Sequence, residues 1–112
     1  MPKRQSSCLT YYASRNIFTV MIESFACKRT QQLFEGRCPR AFRAFRRQAE
    51  RKLQLLDSAT TLDFLRSPPG NRLEALRGNR QGQYSIRIND QWRLCFRFES
   101  GAAFDVEIVD YH

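Results

Sequence analysis

Residues 84–112 read YSIRINDQWRLCFRFESGAAFDVEIVDYH, and their alternation decides the fold class. Tyr84, Ile86 and Ile88 alternate with Ser85, Arg87 and Asn89. Trp92, Leu94, Phe96 and Phe98 then alternate with Arg93, Cys95 and Arg97, and Phe104, Val106 and Ile108 alternate with Asp105, Glu107 and Val109. A period of two places one set of each strand on a buried face and the other on an open face. Asn89–Gln91 and Glu99–Gly101 supply turn residues between the runs, so the pattern predicts an antiparallel meander. A further strand is expected around Arg72–Leu76, ahead of Gly78.

Upstream of the meander the period changes from two to steps of three and four. Phe42, Phe45, Ala49, Leu53 and Leu56 form an apolar helical stripe after the Cys38-Pro39 break, and this stripe is expected to cover the apolar face of the sheet. Together these elements predict an α+β domain, an antiparallel meander covered on one face by N-terminal helices. Arg43, Arg47 and Arg51 lie on the other side of the helix, as a solvated face first and a phosphate-contacting ridge second. Thr60 and Asp63 flank an expected capped turn into Phe64 and Leu65. Pro68-Pro69-Gly70 ends it, because neither proline can donate to a helix or a ladder. Met21–Cys27 is compatible with a short strand and Lys28–Glu35 with one or two helical turns.

The chain has 112 residues, enough for one core and too few for two. Nine Phe, four Tyr and one Trp within a 42% hydrophobic composition can supply that core without metal or disulfides. Residues 1–20 carry Lys3, Arg4 and Arg15 and no acid, and they stop before an internal Met21. They are expected to be an appendage, either from an upstream start codon that is not the natural one or as a basic arm that folds on RNA. Residues 21–112 are expected to be the domain.

A net charge of +8 and a pI near 9.9 attract polyanions. The excess is mostly arginine, whose planar fork suits phosphate, and this favours nucleic acid over an anionic membrane. Four cysteines without a CxxC pair, and a single histidine, argue against zinc. No apolar run is long enough for export or membrane spanning, so a cytoplasmic protein with reduced thiols is expected.

The open face of the meander carries Arg87, Arg93, Arg97, Asp105, Glu107 and Tyr111. It reads either as a solvated sheet with cross-strand ion pairs, Arg97 to Glu107 for instance, or as a polyanion site. The ending Asp110-Tyr111-His112 adds the one histidine, a side chain suited to moving a proton near neutral pH. Arg93 and Arg77 are placed to neutralise a phosphate.

The stretch RSPPGNRLEALRGNRQGQYSIRINDQWRLCF at 66–96, the ending VEIVDYH at 106–112 and the opening MIESF at 21–25 resemble the HigB-type toxins of the RelE/ParE superfamily, particularly the subgroup containing GraT. The resemblance spans residues 21–112 and leaves out 1–20. It implies a type II toxin that enters the ribosomal A site and cuts messenger RNA without metal or other cofactor, leaving a 2′,3′-cyclic phosphate. It places the catalytic group at Arg93, Arg77, Tyr111, His112 and Asp110. Where some HigB toxins have a histidine, this chain has Glu74, so Glu74 or His112 is expected to handle protons, while Arg93 and Arg77 hold phosphate and Tyr111 stacks on or orients the nucleotide. Glu74 reads equally as the ion-pair partner of an arginine. Arg72, Arg80, Arg87, Arg97, Arg43, Arg47 and Arg51 are the further RNA contacts expected. The implied partners are a helix-turn-helix antitoxin of the HigA type and the 70S ribosome with its A-site messenger, with no membrane. Two alternatives stand beside this: a non-catalytic RNA-binding module, and a degenerate toxin kept as an antitoxin-binding co-repressor.

Overall fold

Four antiparallel strands in the order β1-β2-β3-β4 form the sheet: β1 (Glu74–Ala75), β2 (Tyr84–Arg87), β3 (Trp92–Glu99) and β4 (Ala102–Asp110). The structure, a computed structural model, describes residues 22–111. The readings of residues 1–21 and of His112 lie outside the described residues. The expected meander is present, with its first strand cut to two residues. Arg72 in the left-handed conformation (φ 46°) and Gly78 (φ 64°) bound that strand and stop the ladder on either side. The β2–β3 turn is held by Asn89, whose side-chain oxygen accepts from the backbone N–H of Gln91 and of Trp92, each at 2.8 Å.

One strand departs from strict alternation. Cys95 pairs with Glu107 but Arg97 pairs with Phe104, so β4 contains one extra residue, and Asp105 sits there with φ 55°. A bulge of this kind reverses which side chains face inward. Ala103 is therefore buried in place of Phe104, and Phe104 lies on the open face under the Arg97 guanidinium, 5.4 Å from its ring centre. The expectation that Phe104 belongs to the apolar face is corrected accordingly. So is the illustrative pairing of Arg97 with Glu107: Arg97 donates to Asp105 at 2.9 Å and also pairs with Glu99, while Glu107 accepts from Arg80 at 3.3 Å.

The cover on the apolar face is α1 (Lys28–Phe34), a 3-10 segment at Arg40–Phe45 and α2 (Arg46–Ser58). Phe42, Phe45, Ala49, Leu53 and Leu56 are all buried, as the stripe predicts. Its first turn is tighter than an α-helix, because Phe45 (φ −128°) breaks the winding before Arg46. Phe45 stacks on Trp92 at 5.0 Å between ring centres and Phe42 meets the same indole edge-on at 5.9 Å, so the stripe is fastened to β3. Each large side chain fully buried here contributes about 1.5–3 kcal/mol. The 3-10 turn over Asp63–Arg66 begins after Leu62 without a side-chain cap; the Thr61 hydroxyl just ahead of it accepts from Phe64 N–H at 3.2 Å.

The segment after Met21 runs parallel to β4 through bridges Ile22 to Ala103 and Phe25 to Val106. Glu23 and Ala26 donate backbone N–H groups to the carbonyls of Ala103 (2.8 Å) and Val106 (3.0 Å). Among the described residues no helix is long and apolar enough to cross a membrane.

Candidate phosphate-binding cleft

The helical layer covers one face of the sheet, so the opposite face is open, and its residues come from alternate positions of β2, β3 and β4. Ser85, Cys95 and Glu107 lie side by side there in register. Small side chains at Ser85 and Cys95 leave a hollow into which longer neighbours fold. Arg93, diagonal to Ser85, lays its guanidinium into that hollow: Nε donates to Ser85 Oγ at 2.7 Å, and Nη2 donates to the carbonyls of Ser85 (3.3 Å) and Arg72. The Arg93 side chain is only 11% exposed, and the Glu74 carboxylate, 57% exposed, stands 3.8 Å from Nη2.

Around this guanidinium Arg72, Glu74, Arg87, Asn89, Asp90, Arg93 and Tyr111 line a cleft of about 270 Å³. That is at or below the low end of pockets that enclose whole ligands, roughly 300–1,000 Å³. It suits a phosphate and its ribose. Three arginines against two carboxylates give it a positive bias. Arg87 is held at the rim by Asp90, whose side chain is 99% exposed.

Asn71 supports the wall. It is fully buried; its amide nitrogen donates to the carbonyls of Leu65 (3.1 Å) and Ser67 (3.4 Å), and its oxygen accepts from Lys52 on α2. The adjacent Arg72 thereby has its left-handed backbone fixed, and its carbonyl is the one that Arg93 uses. Burial, with Arg51 and Arg87 adding to it, pulls the Lys52 ammonium below its ordinary pKa.

Tyr111 stands at the other side, 44% exposed, with its backbone N–H donating to Gln91 O at 2.7 Å. Burial and the Cys95 thiol push its phenol pKa up, while Arg80 and Arg93 pull the other way. Cys95 lies underneath, beside the Tyr111 phenol. Burial raises its pKa against the opposing pull of Arg80, Tyr111 and Arg93, so it remains a thiol at neutral pH.

The structure thus brings together Arg93, Glu74, Tyr111, Arg72 and Arg87 from the residues singled out by sequence. Arg77 is exposed ahead of the short 3-10 turn at Gly78–Arg80 and does not line the cleft. Arg80 flanks the cleft through its contacts with Gln83 and Glu107. Asp110 accepts from the Gln91 side chain at 3.0 Å at the end of β4. Arg97 is paired at the far end of β3, and Arg43, Arg47 and Arg51 are exposed on the helical layer behind the sheet. Sequence reasoning passed over Ser85, Cys95, Asn89 and Asp90. The available signal was two small residues in register amid open-face arginines, which marks where a long side chain can lie flat.

The sequence profile of the RelE-like toxin of type II toxin-antitoxin system HigB matches residues 23–112. A "Toxin HigB-1" of Vibrio cholerae is 51% identical over 55 residues, 49% of this chain and 58% of that protein. An "Endoribonuclease HigB" of Proteus vulgaris is 34% identical over 95 residues, covering 82% of this chain and all of that protein. An uncharacterized protein of Haemophilus influenzae is 42% identical over 50 residues, half of its length. The alignments with the Vibrio and Haemophilus proteins therefore span about half to three-fifths of those relatives. With an α+β meander, an arginine-floored cleft on its open face and a family match over nearly all the described residues, the chain belongs to the HigB family of RelE-like toxins of type II toxin-antitoxin systems.

Proposed function

We propose that this protein is an endoribonuclease, the toxin of a type II pair, which cuts messenger RNA in the ribosomal A site and needs no metal. The observation that carries the reading is the guanidinium of Arg93, held on three oxygens at the floor of a phosphate-sized cleft with the Glu74 carboxylate beside it. The naming of the Proteus relative as an endoribonuclease supports it.

In the proposed reaction the ribose 2′ oxygen attacks the adjacent phosphorus, the bond from phosphorus to the 5′ oxygen breaks, and a 2′,3′-cyclic phosphate forms. The 2′-OH proton passes to a base and a proton is returned to the departing 5′ oxygen. Arg93, with Arg72 and Arg87 at the walls, holds the negative charge that grows on the phosphate. Glu74 is exposed enough to reach a ribose hydroxyl and takes the base role, with His112 as the acid. Tyr111 offers an exposed ring on which a base can stack. Arg77, Arg80, Arg97 and the Arg43, Arg47, Arg51 ridge stand outside the cleft and act, in this reading, through ribosomal or messenger phosphates at longer range, while Asp110 anchors the end of β4 beside Tyr111 through Gln91. The partners are the 70S ribosome and a HigA-like helix-turn-helix antitoxin, and the site of action is the cytoplasm.

A second reading has its own observation. Glu74 faces Arg93 at 3.8 Å, which fits a carboxylate that only balances the guanidinium in a binding module. Primer extension on messenger RNA, with and without translating ribosomes, separates the two. The nuclease reading expects cuts only with ribosomes, reduced at least a hundredfold in Arg93→Ala and at least tenfold in Glu74→Gln. Intact messenger in every lane, with folding and ribosome binding verified, overturns it and leaves the binding module.

A further inference from the structure

We propose that Ser85 is the positioning residue of the cleft, setting the orientation in which Arg93 meets phosphate. The inference deepens the reading of the same site and rests on it. Ser85 is fully buried, yet it lies on the open face of the sheet, where the alternate position of a four-residue strand ordinarily carries a solvated side chain. What buries it is Arg93.

A guanidinium has five N–H donors in a rigid plane. Ser85 takes the Nε donor on its hydroxyl and one Nη2 donor on its carbonyl, and Arg72 O takes the other Nη2 donor. Among the described residues the two Nη1 donors have no protein acceptor, so the plane is clamped along one edge and offers the remaining donors to a ligand. The Ser85 and Arg72 carbonyls are backbone and survive any substitution. The hydroxyl at 2.7 Å is the one contact of the clamp supplied by the Ser85 side chain, and it fixes rotation about the last bonds of the arginine. The position also needs a small residue: Arg93 lies diagonally across it, and a long or bulky side chain there would lift the guanidinium out of the hollow.

A charge-assisted hydrogen bond is worth about 1.5–3 kcal/mol, which converts to roughly tenfold to a hundredfold in rate if it acts only on the oriented transition state. A role confined to orientation predicts a particular split. Ser85→Ala lowers the single-turnover cleavage rate at least tenfold while the concentration for half-saturation by messenger-loaded ribosomes changes less than threefold, because the charge of Arg93 remains. Ser85→Thr, which keeps the hydroxyl, restores the rate to within threefold of wild type, whereas Ser85→Cys, similar in size but a poor acceptor, behaves as alanine.

The test is single-turnover cleavage by wild type, these three variants, Arg93→Ala and the double variant Ser85→Ala/Arg93→Ala, with thermal unfolding measured alongside. If Ser85 acts through Arg93, adding Ser85→Ala to Arg93→Ala costs less than twofold further. Equal rates for wild type and Ser85→Ala overturn the proposal, as does a full further loss in the Arg93→Ala background. A loss that follows melting temperature across all variants, with no rescue by threonine, also overturns it and assigns Ser85 a structural role. If wild type itself leaves messenger intact, the endoribonuclease reading falls and takes the Ser85 proposal with it, an outcome distinct from a cutting wild type whose rate Ser85→Ala leaves unchanged.

Discussion

Replacing Asn71 by alanine strikes the wall of the cleft without touching any residue that faces it. The amide gives up two donated bonds, to Leu65 O at 3.1 Å and to the longer Ser67 O at 3.4 Å, and one accepted bond from the Lys52 ammonium. Leaving a buried carbonyl unsatisfied costs about 1–3 kcal/mol, and a bond to a charged group contributes about 1.5–3 kcal/mol. Lys52 is half-exposed and can turn to water, so its share belongs at the low end of that range. The sum is about 3 kcal/mol. For a domain of this size each kcal/mol moves the melting temperature by about 4–8 °C, so Asn71→Ala should melt about 12–24 °C below wild type. Urea unfolding should show a lower midpoint at unchanged slope. Lys52→Met should cost less, and the double variant should fall short of the sum of the two by about 1 kcal/mol, because both remove the same bond. A melting point within 4 °C of wild type, or strict additivity, would refute the account of Asn71 as the buried tie between α2 and the Arg72 backbone.

Asp90→Asn frees Arg87 at the rim, and with an RNA oligomer in fluorescence anisotropy it should bind about two- to fivefold tighter at low salt, with the log–log salt slope steeper by about 0.7, the value for one added phosphate contact on a single strand. Unchanged affinity and slope would remove Arg87 from the binding surface. Cys95 should resist iodoacetamide in the folded state and react only after denaturant is added, whereas the partly exposed Cys27 and Cys38 react first; peptide mass spectrometry reads the order. Tyr111 should ionise above the ordinary phenol value near 10, seen as the difference in 295 nm absorbance titration between wild type and Tyr111→Phe. Because its folded pKa is raised, the stability linked to that proton is fully present below pH 10 and is lost as pH climbs through the higher folded value; a difference curve with its midpoint below 10 contradicts the burial.

The meander and the helical stripe were legible because both rest on periodicity, which burial enforces at every position. Phe104 was not, since a single extra residue at Asp105 reverses the alternation, and positive φ at an aspartate leaves no mark as clear as a glycine would. For the site, Arg93, Glu74 and Tyr111 could be read from the family resemblance, and the cleft joins them with Arg72 and Arg87. Arg77 matched the family pattern, yet the tight turn after it leaves its side chain outside the cleft. Ser85 and Asn71 stayed hidden because their importance lies in which long-range atoms they meet, and spacing along one strand carries no information about a carbonyl 21 residues away, as Arg93 and Arg72 illustrate.

The parallel bridges of Ile22 and Phe25 to Ala103 and Val106 join the first described residues to the last strand, some 81 positions downstream. During synthesis the early segment must wait, without its partner, until β4 has left the exit tunnel. The cleft waits too: β2 and β3 supply its floor, but Tyr111, on its other side, follows β4. A nascent chain therefore carries no assembled cleft until β4 has emerged, and the domain closes only with that strand.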